Sequence, residues 1–277
     1  MSLTLKLLAT TLLLSSFVYA QNTGKKVEDF LSEEFGDNQR LKSVNVKVSD
    51  VVPLSDLKGW NAYVLDVSAV LKEKPTETIR QKMVWFSDGN IITKELTKMS
   101  SGESLTDLVK PDFKPEYYSK GNLIYGNENA KHKVAIFSDP LCPFCRGFVP
   151  GAIKEMKADP KKFAIYYYHF PLPRLHPAAV VLVQAAAAAE HKGAKDVILK
   201  LYNVEVNPKE TNVATILAAF NKAVGTTITV ADLKNPAVQK QMRFDQAVAN
   251  NLMIAGTPTL YLDNKVDQTK KKYKSVK

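Results

Sequence analysis

The chain has two cysteines in 277 residues, and both fall in Phe137-Ser138-Asp139-Pro140-Leu141-Cys142-Pro143-Phe144-Cys145. A lone Cys-x-x-Cys pair with no other thiol to join is either a redox switch or half of a metal site. The flanks favour the switch. Val134-Ala135-Ile136-Phe137 is the continuous apolar run of a strand buried on both faces. Pro143 to Ala158 then reads as a helix, with Pro143 at the first helical position, where no N–H is needed. Residues three apart share a helical face, about 5–6 Å between Cβ atoms, within reach of a disulfide after modest adjustment. Cys142 at the helix N-terminus faces free N–H groups and the positive end of the dipole, which favour a thiolate. Cys145, one turn in, is expected to be the more buried, resolving thiol. A stabilised thiolate is a good leaving group and forfeits its stabilisation on oxidation, so such a site tends to pass its disulfide on.

A closed zinc site takes four ligands, and two cysteines supply half of that. His132, His169, His176 and His191 are scattered, with no ligand spacing to the thiols. His132 and His191 read as surface residues, and His169 and His176 as packing or loop residues near the site. No metal and no separate cofactor is expected; the redox element is the Cys142–Cys145 disulfide itself. Asp139, a lone carboxylate, reads first as a turn or cap residue, with proton transfer as the alternative role.

The thiols need a strand to carry them and a helix to start on, and the chain supplies both from Lys131 onward. Phe163-Ala164-Ile165-Tyr166-Tyr167-Tyr168 is the second strand of a βαβ unit, which makes the pair parallel. Pro150 interrupts the helix between them and predicts a kink. Helical stretches follow at Pro177–His191, Ala194–Tyr202, Asn212–Val224 and Pro236–Met253, the last with Asn235 as its N-cap. The run Ala185 to Ala189 is a strong helix former with no chemistry of its own. Gly256-Thr257-Pro258 then introduces a short strand, Thr259 to Leu262, turning at Asp263-Asn264.

Ahead of this lies a small α+β unit over residues 21–105, with no histidine and no cysteine. Lys25 to Phe35 reads as a helix, Val44–Val48 and Trp60–Val67 as strands, and Lys82–Phe86, Asp88-Gly89 and Ile91–Thr93 as a hairpin. It suits a scaffold or pairing surface rather than chemistry. Residues 106–130, with Pro111, Pro115, Gly121 and Gly126 among polar residues, read as a linker.

The net charge is +10. Such an excess first raises nucleic acid as a partner, but the N-terminus argues against it. Residues 1–20 read as an export signal: Lys6, apolar Leu7 to Val18, then Val18-Tyr19-Ala20 at the cut, a run too short to span a bilayer. The mature chain is then expected to begin near Gln21 in an oxidising compartment, read as a bacterial periplasm. Lys270-Lys271-Lys272-Tyr273-Lys274 reads as a solvated tail.

The motif around Cys142 and Cys145, the proline five residues after the second cysteine, the helical block and the Thr257-Pro258 pair before a strand together resemble a thioredoxin fold. Within it, Phe137 to Cys145 resembles the active-site segment of the DsbG/DsbC-type periplasmic thiol:disulfide interchange proteins. The resemblance spans residues 21–262 in layout and is specific in sequence around 136–145 and 256–258. It implies an α+β chain: an N-terminal dimerisation-like domain (21–105), a linker (106–130) and a thioredoxin-like α/β domain (131–277) with a helical insertion at about 175–253. Cys142 would be the exposed, attacking cysteine and Cys145 its partner. Pro143 and Phe144 would tune potential and substrate contact. Thr257-Pro258 would form a cis-proline loop facing the disulfide, offering the Thr257 backbone to an extended substrate. Asp139 matches the family pattern before the first cysteine. The implied partners are unfolded or misfolded periplasmic proteins, a membrane thiol reductase or oxidase, and a second copy in a homodimer.

The chain departs from that pattern in three places. It lacks cysteines for a second, structural disulfide, it leaves little length after the Thr-Pro strand for a last helix, and Tyr168-His169-Phe170-Pro171-Leu172-Pro173 with His176-Pro177 resembles DsbA-like oxidases. The expectation is an exported oxidoreductase that isomerises or reduces disulfides. A DsbA-like net oxidase and a holdase chaperone are the alternatives.

Overall fold

The computed structural model describes residues 23–100, 102 and 104–277, so the expected export signal lies outside the described residues. The chain divides into two units between Lys110 and Pro111. Among the described residues no helix is long and apolar enough to cross a membrane.

In the first unit a helix, α1 (residues 23–36), covers an antiparallel sheet. Its strands β1 (Leu41–Pro53), β2 (Asn61–Leu71), β3 (Lys74–Ser87) and β4 (Ile92–Thr93) lie in sequence order. The alternation of Val44, Val46 and Val48 turns all three toward α1, where Val27 and Leu31 pack with Tyr63 and Leu65. Glu28 reaches down to accept the Val48 N–H at 2.7 Å. The β3–β4 hairpin turns at Gly89, whose φ of 95° a residue with a side chain rarely adopts. β2 and β3 run further than their apolar patterns, pairing as far as Leu71 with Lys74 past a register shift, because the outer half of β3 is exposed throughout and shows no alternation.

The second unit is built on a mixed five-stranded sheet in the order β5-β7-β6-β8-β9. β5 is Leu123–Tyr125, β6 His132–Ser138, β7 Phe163–His169, β8 Thr259–Leu262 and β9 Lys265–Val266. β6 lies at the centre, parallel to β7 with Ile136 opposite Tyr167, and antiparallel to β8 with Phe137 opposite Thr259. From Val134 onward β6 is buried, as its continuous apolar run requires.

Six helices follow in this unit: α2 (Pro143–Lys157), α3 (Pro177–His191), α4 (Val197–Leu201), α5 (Val213–Val224), α6 (Val230–Leu233) and α7 (Pro236–Asn251). On one face of the sheet, α2 to α5 close a core with Ile136, Ile165 and Tyr167. On the other, Val248, Ala249 and Leu252 from α7 and the residue after it pack on Phe137, Tyr166 and Tyr168. Side chains of β7 alternate between the two cores, so both helical layers share one strand.

Several expectations change in detail. Pro150 sits inside α2, which continues through it to Lys157. The helix expected over 194–202 begins only at Val197, because Asp196 takes a left-handed φ of 56° at its N-cap. α7 ends at Asn251, two residues early, and Met253 turns away at φ 54°. α6 and β9, four and two residues long, have no counterpart in the sequence reading. Within the stretch read as a linker, β5 pairs with β7, and Phe113 is buried beside Tyr117, Tyr168 and Tyr261.

Candidate functional site

The central strand delivers its last residue, Ser138, to a turn, and four residues later Cys142 caps α2. The turn is held by Asp139, which is wholly buried. Its Oδ1 accepts the N–H groups of Leu141 at 2.7 Å and Cys142 at 3.2 Å. Its Oδ2 accepts the Leu172 N–H at 2.8 Å and meets His176 Nδ1 at 3.0 Å. Asp139 thus ties the thiol-bearing turn to the segment between β7 and α3. Its carboxylate makes turn and cap bonds, with a hydrogen-bond partner in His176 that sequence spacing did not reveal. Arg146 adds a second tie, donating to the Pro140 carbonyl at 2.8 Å and the Val204 carbonyl at 2.6 Å.

The two cysteines are free thiols. Cys142 retains 5% of its surface, less than the exposed position the resemblance implies, and Cys145 retains none. The Cys142 Sγ lies 3.7 Å from the Thr257 carbonyl oxygen. The Thr257–Pro258 peptide is cis, and Pro258 is buried one residue before β8. The Thr257 carbonyl meets the Cys142 sulfur because β8, antiparallel to β6, begins beside the end of β6 from which the thiol turn leaves. Pro143 and Phe144 stand out from the first turn of α2, with Phe144 78% exposed.

Chemically the pair is asymmetric. Burial pushes the Cys145 thiol up to about 11, opposed by Ser138, Thr257 and the Asp139 backbone. At neutral pH it keeps its proton.

His132 pairs with Asp263 at 2.7 Å, and His191 is exposed. His169 is buried at the end of β7, where desolvation pushes it down to about 3 and leaves it neutral. Among the described residues no group of three or more His, Cys, Asp and Glu side chains stands together as a metal site.

A family model described as Thioredoxin matches residues 118–277. No curated protein matches the chain. Among solved structures, a thioredoxin-like oxidoreductase from Silicibacter pomeroyi is similar at 22% identity and a TM-score of 0.44, over 54% of this chain and 84% of that one. ScsC from Proteus mirabilis, in a compact conformation, is similar at 21% identity and a TM-score of 0.44, over 55% and 73%. Oxidised BdbD from Bacillus subtilis is similar at 18% identity and a TM-score of 0.45, over 60% and 90%.

Proposed function

Because the chain belongs to the thioredoxin family, we propose that it is an exported thiol:disulfide oxidoreductase that isomerises or reduces disulfides in periplasmic proteins. The observation that carries this reading is the placement of the Cys142 Sγ at the start of α2, 3.7 Å from the Thr257 carbonyl, with Cys145 covered behind it.

In this mechanism the Cys142 thiolate attacks a substrate disulfide, forms a mixed disulfide and expels one substrate sulfur as a thiolate. In isomerisation that thiolate, or another on the substrate, attacks elsewhere and finally releases Cys142 unchanged. In reduction Cys145 displaces the remaining substrate sulfur and leaves a Cys142–Cys145 disulfide, which a membrane thiol reductase must reduce. Thr257 offers an extended substrate a backbone carbonyl, and Phe144 and Pro143 offer it apolar surface. No cofactor beyond the cysteine pair is required. The N-terminal unit, which lacks cysteine and histidine, would serve as the pairing surface of a homodimer.

Refolding of scrambled ribonuclease tests the reading. The mature protein is expected to restore activity, and Cys142→Ala to abolish the effect. If scrambled ribonuclease stays inactive while reduced ribonuclease is rapidly oxidised, a DsbA-like net oxidase replaces the isomerase.

A further inference from the structure

Cys145 has to lose a proton before it can displace a substrate, and the groups that favour its thiolate carry no charge. They are the hydroxyls of Ser138 and Thr257 and the Asp139 backbone, which oppose the burial that holds its proton on. The Asp139 carboxylate is occupied by Leu141, Cys142, Leu172 and His176. The remaining titratable neighbours are Cys142 and two tyrosines.

Those tyrosines continue inward from Ser138. Ser138 Oγ lies 2.6 Å from the Tyr202 hydroxyl, which lies 2.9 Å from the Tyr167 hydroxyl. All three residues are buried, and they come from separate pieces of chain: the end of β6, the residue closing α4 and the inner face of β7. Phenylalanine rings would fill the same space without placing hydroxyls in an apolar core, where each must find a partner. A hydroxyl both donates and accepts and turns freely, so a row of them can redirect its protons as charge appears.

We infer that Ser138, Tyr202 and Tyr167 form a hydroxyl row that turns toward Cys145 and stabilises its thiolate while it resolves the mixed disulfide on Cys142. The inference rests on the oxidoreductase reading above. In the step, the Cys145 sulfur bonds to the Cys142 sulfur and the bond from Cys142 to the substrate sulfur breaks. The departing sulfur keeps the electron pair and takes up the proton that Cys145 released. The cysteine pair is oxidised and the substrate sulfur reduced. Ser138 is the member that reaches the reacting sulfur in this step, and Tyr202 and Tyr167 are positioning residues acting through it. Hydrogen bonds to an ion are roughly twice as strong as neutral ones, and rows of them polarise one another, so this support grows as the thiolate forms.

The test uses the mature chain with Tyr202→Phe, Tyr167→Phe and Ser138→Ala. In a Cys142→Ala background, ultraviolet thiolate absorbance against pH follows the ionisation of Cys145 alone. With both cysteines present, single-turnover release of glutathione from a Cys142 adduct follows the resolving step. Tyr202→Phe is expected to raise the ionisation midpoint by about one pH unit and slow release about tenfold. Alkylation of Cys142 by iodoacetamide should be unchanged, and Tyr167→Phe should have a smaller effect in the same direction. Either readout unmoved in Tyr202→Phe overturns the inference, and that variant decides alone if Ser138→Ala fails to fold. If the wild-type adduct releases no glutathione, the oxidoreductase reading falls, and the ionisation midpoint still decides the role of the row.

Discussion

Asp139 gathers three backbone N–H groups and one imidazole onto a single buried carboxylate. Removing it strands those donors away from water. Asp139→Ala should therefore destabilise the fold by about 3 kcal/mol or more, read as a lower urea midpoint, and slow disulfide exchange because the Cys142 N–H loses its anchor. The place of Asp139 before the cysteines showed it as a turn residue, since a side-chain oxygen reaching N–H groups two and three residues on is a local pattern. Its other partners, Leu172 and His176, are more than thirty residues away, and no spacing rule joins them. Arg146 and Tyr202 were missed for the same reason. Their partners Pro140, Val204, Ser138 and Tyr167 are brought together by packing rather than by sequence separation.

At the scale of elements, the helix starts were the clearest part of the chain. Asn212 accepts the N–H groups of Ala214 and Thr215, and Asn235 that of Ala237. Proline opens α2, α3 and α7, where its missing N–H costs nothing. Asn212→Ala leaves two N–H groups of α5 without that acceptor and should lower stability by about 1 kcal/mol, measured by thermal denaturation, with α5 still packed through Ile216 and Phe220. Elements with no pattern to show were not legible. α6 is a single turn, set by the capping box of Thr229 and Asp232. β9 is two residues, paired only because Asp263 and Asn264 both accept left-handed backbone. β5 was hidden because three residues between Gly121 and Gly126 are too few for an alternation to register.

For the molecule as a whole, acidity should matter through two carboxyls distant in sequence from the cysteines. Burial, with Asp245 adding to it, pushes Glu190 up to about 8. Burial pushes Asp245 up to about 7 against the pull of Asn122, the His169 N–H and Gln241. The folded chain thus holds protons that the unfolded chain has released, and the fold weakens as pH rises through this range. His169 works the other way, since the unfolded chain gains a proton below about 6.5 that the buried ring refuses. The trends separate above pH 6.5, so the melting temperature should fall between pH 6.5 and 8, and Glu190→Gln should flatten that fall. The chain divides between Lys110 and Pro111, and its cysteines and histidines all lie in the second unit. The place of Phe113 in the second core was not legible, because a proline-rich polar stretch gives no sign that one of its aromatics is inside. Finally, the reactive turn hangs from the innermost strand, between β7 and β8, and its second sulfur has no surface of its own. A reagent from bulk water meets that sulfur only when the packing over the first turn of α2 opens, so Cys145 records each such opening, a natural clock for the molecule's lifetime in the folded state.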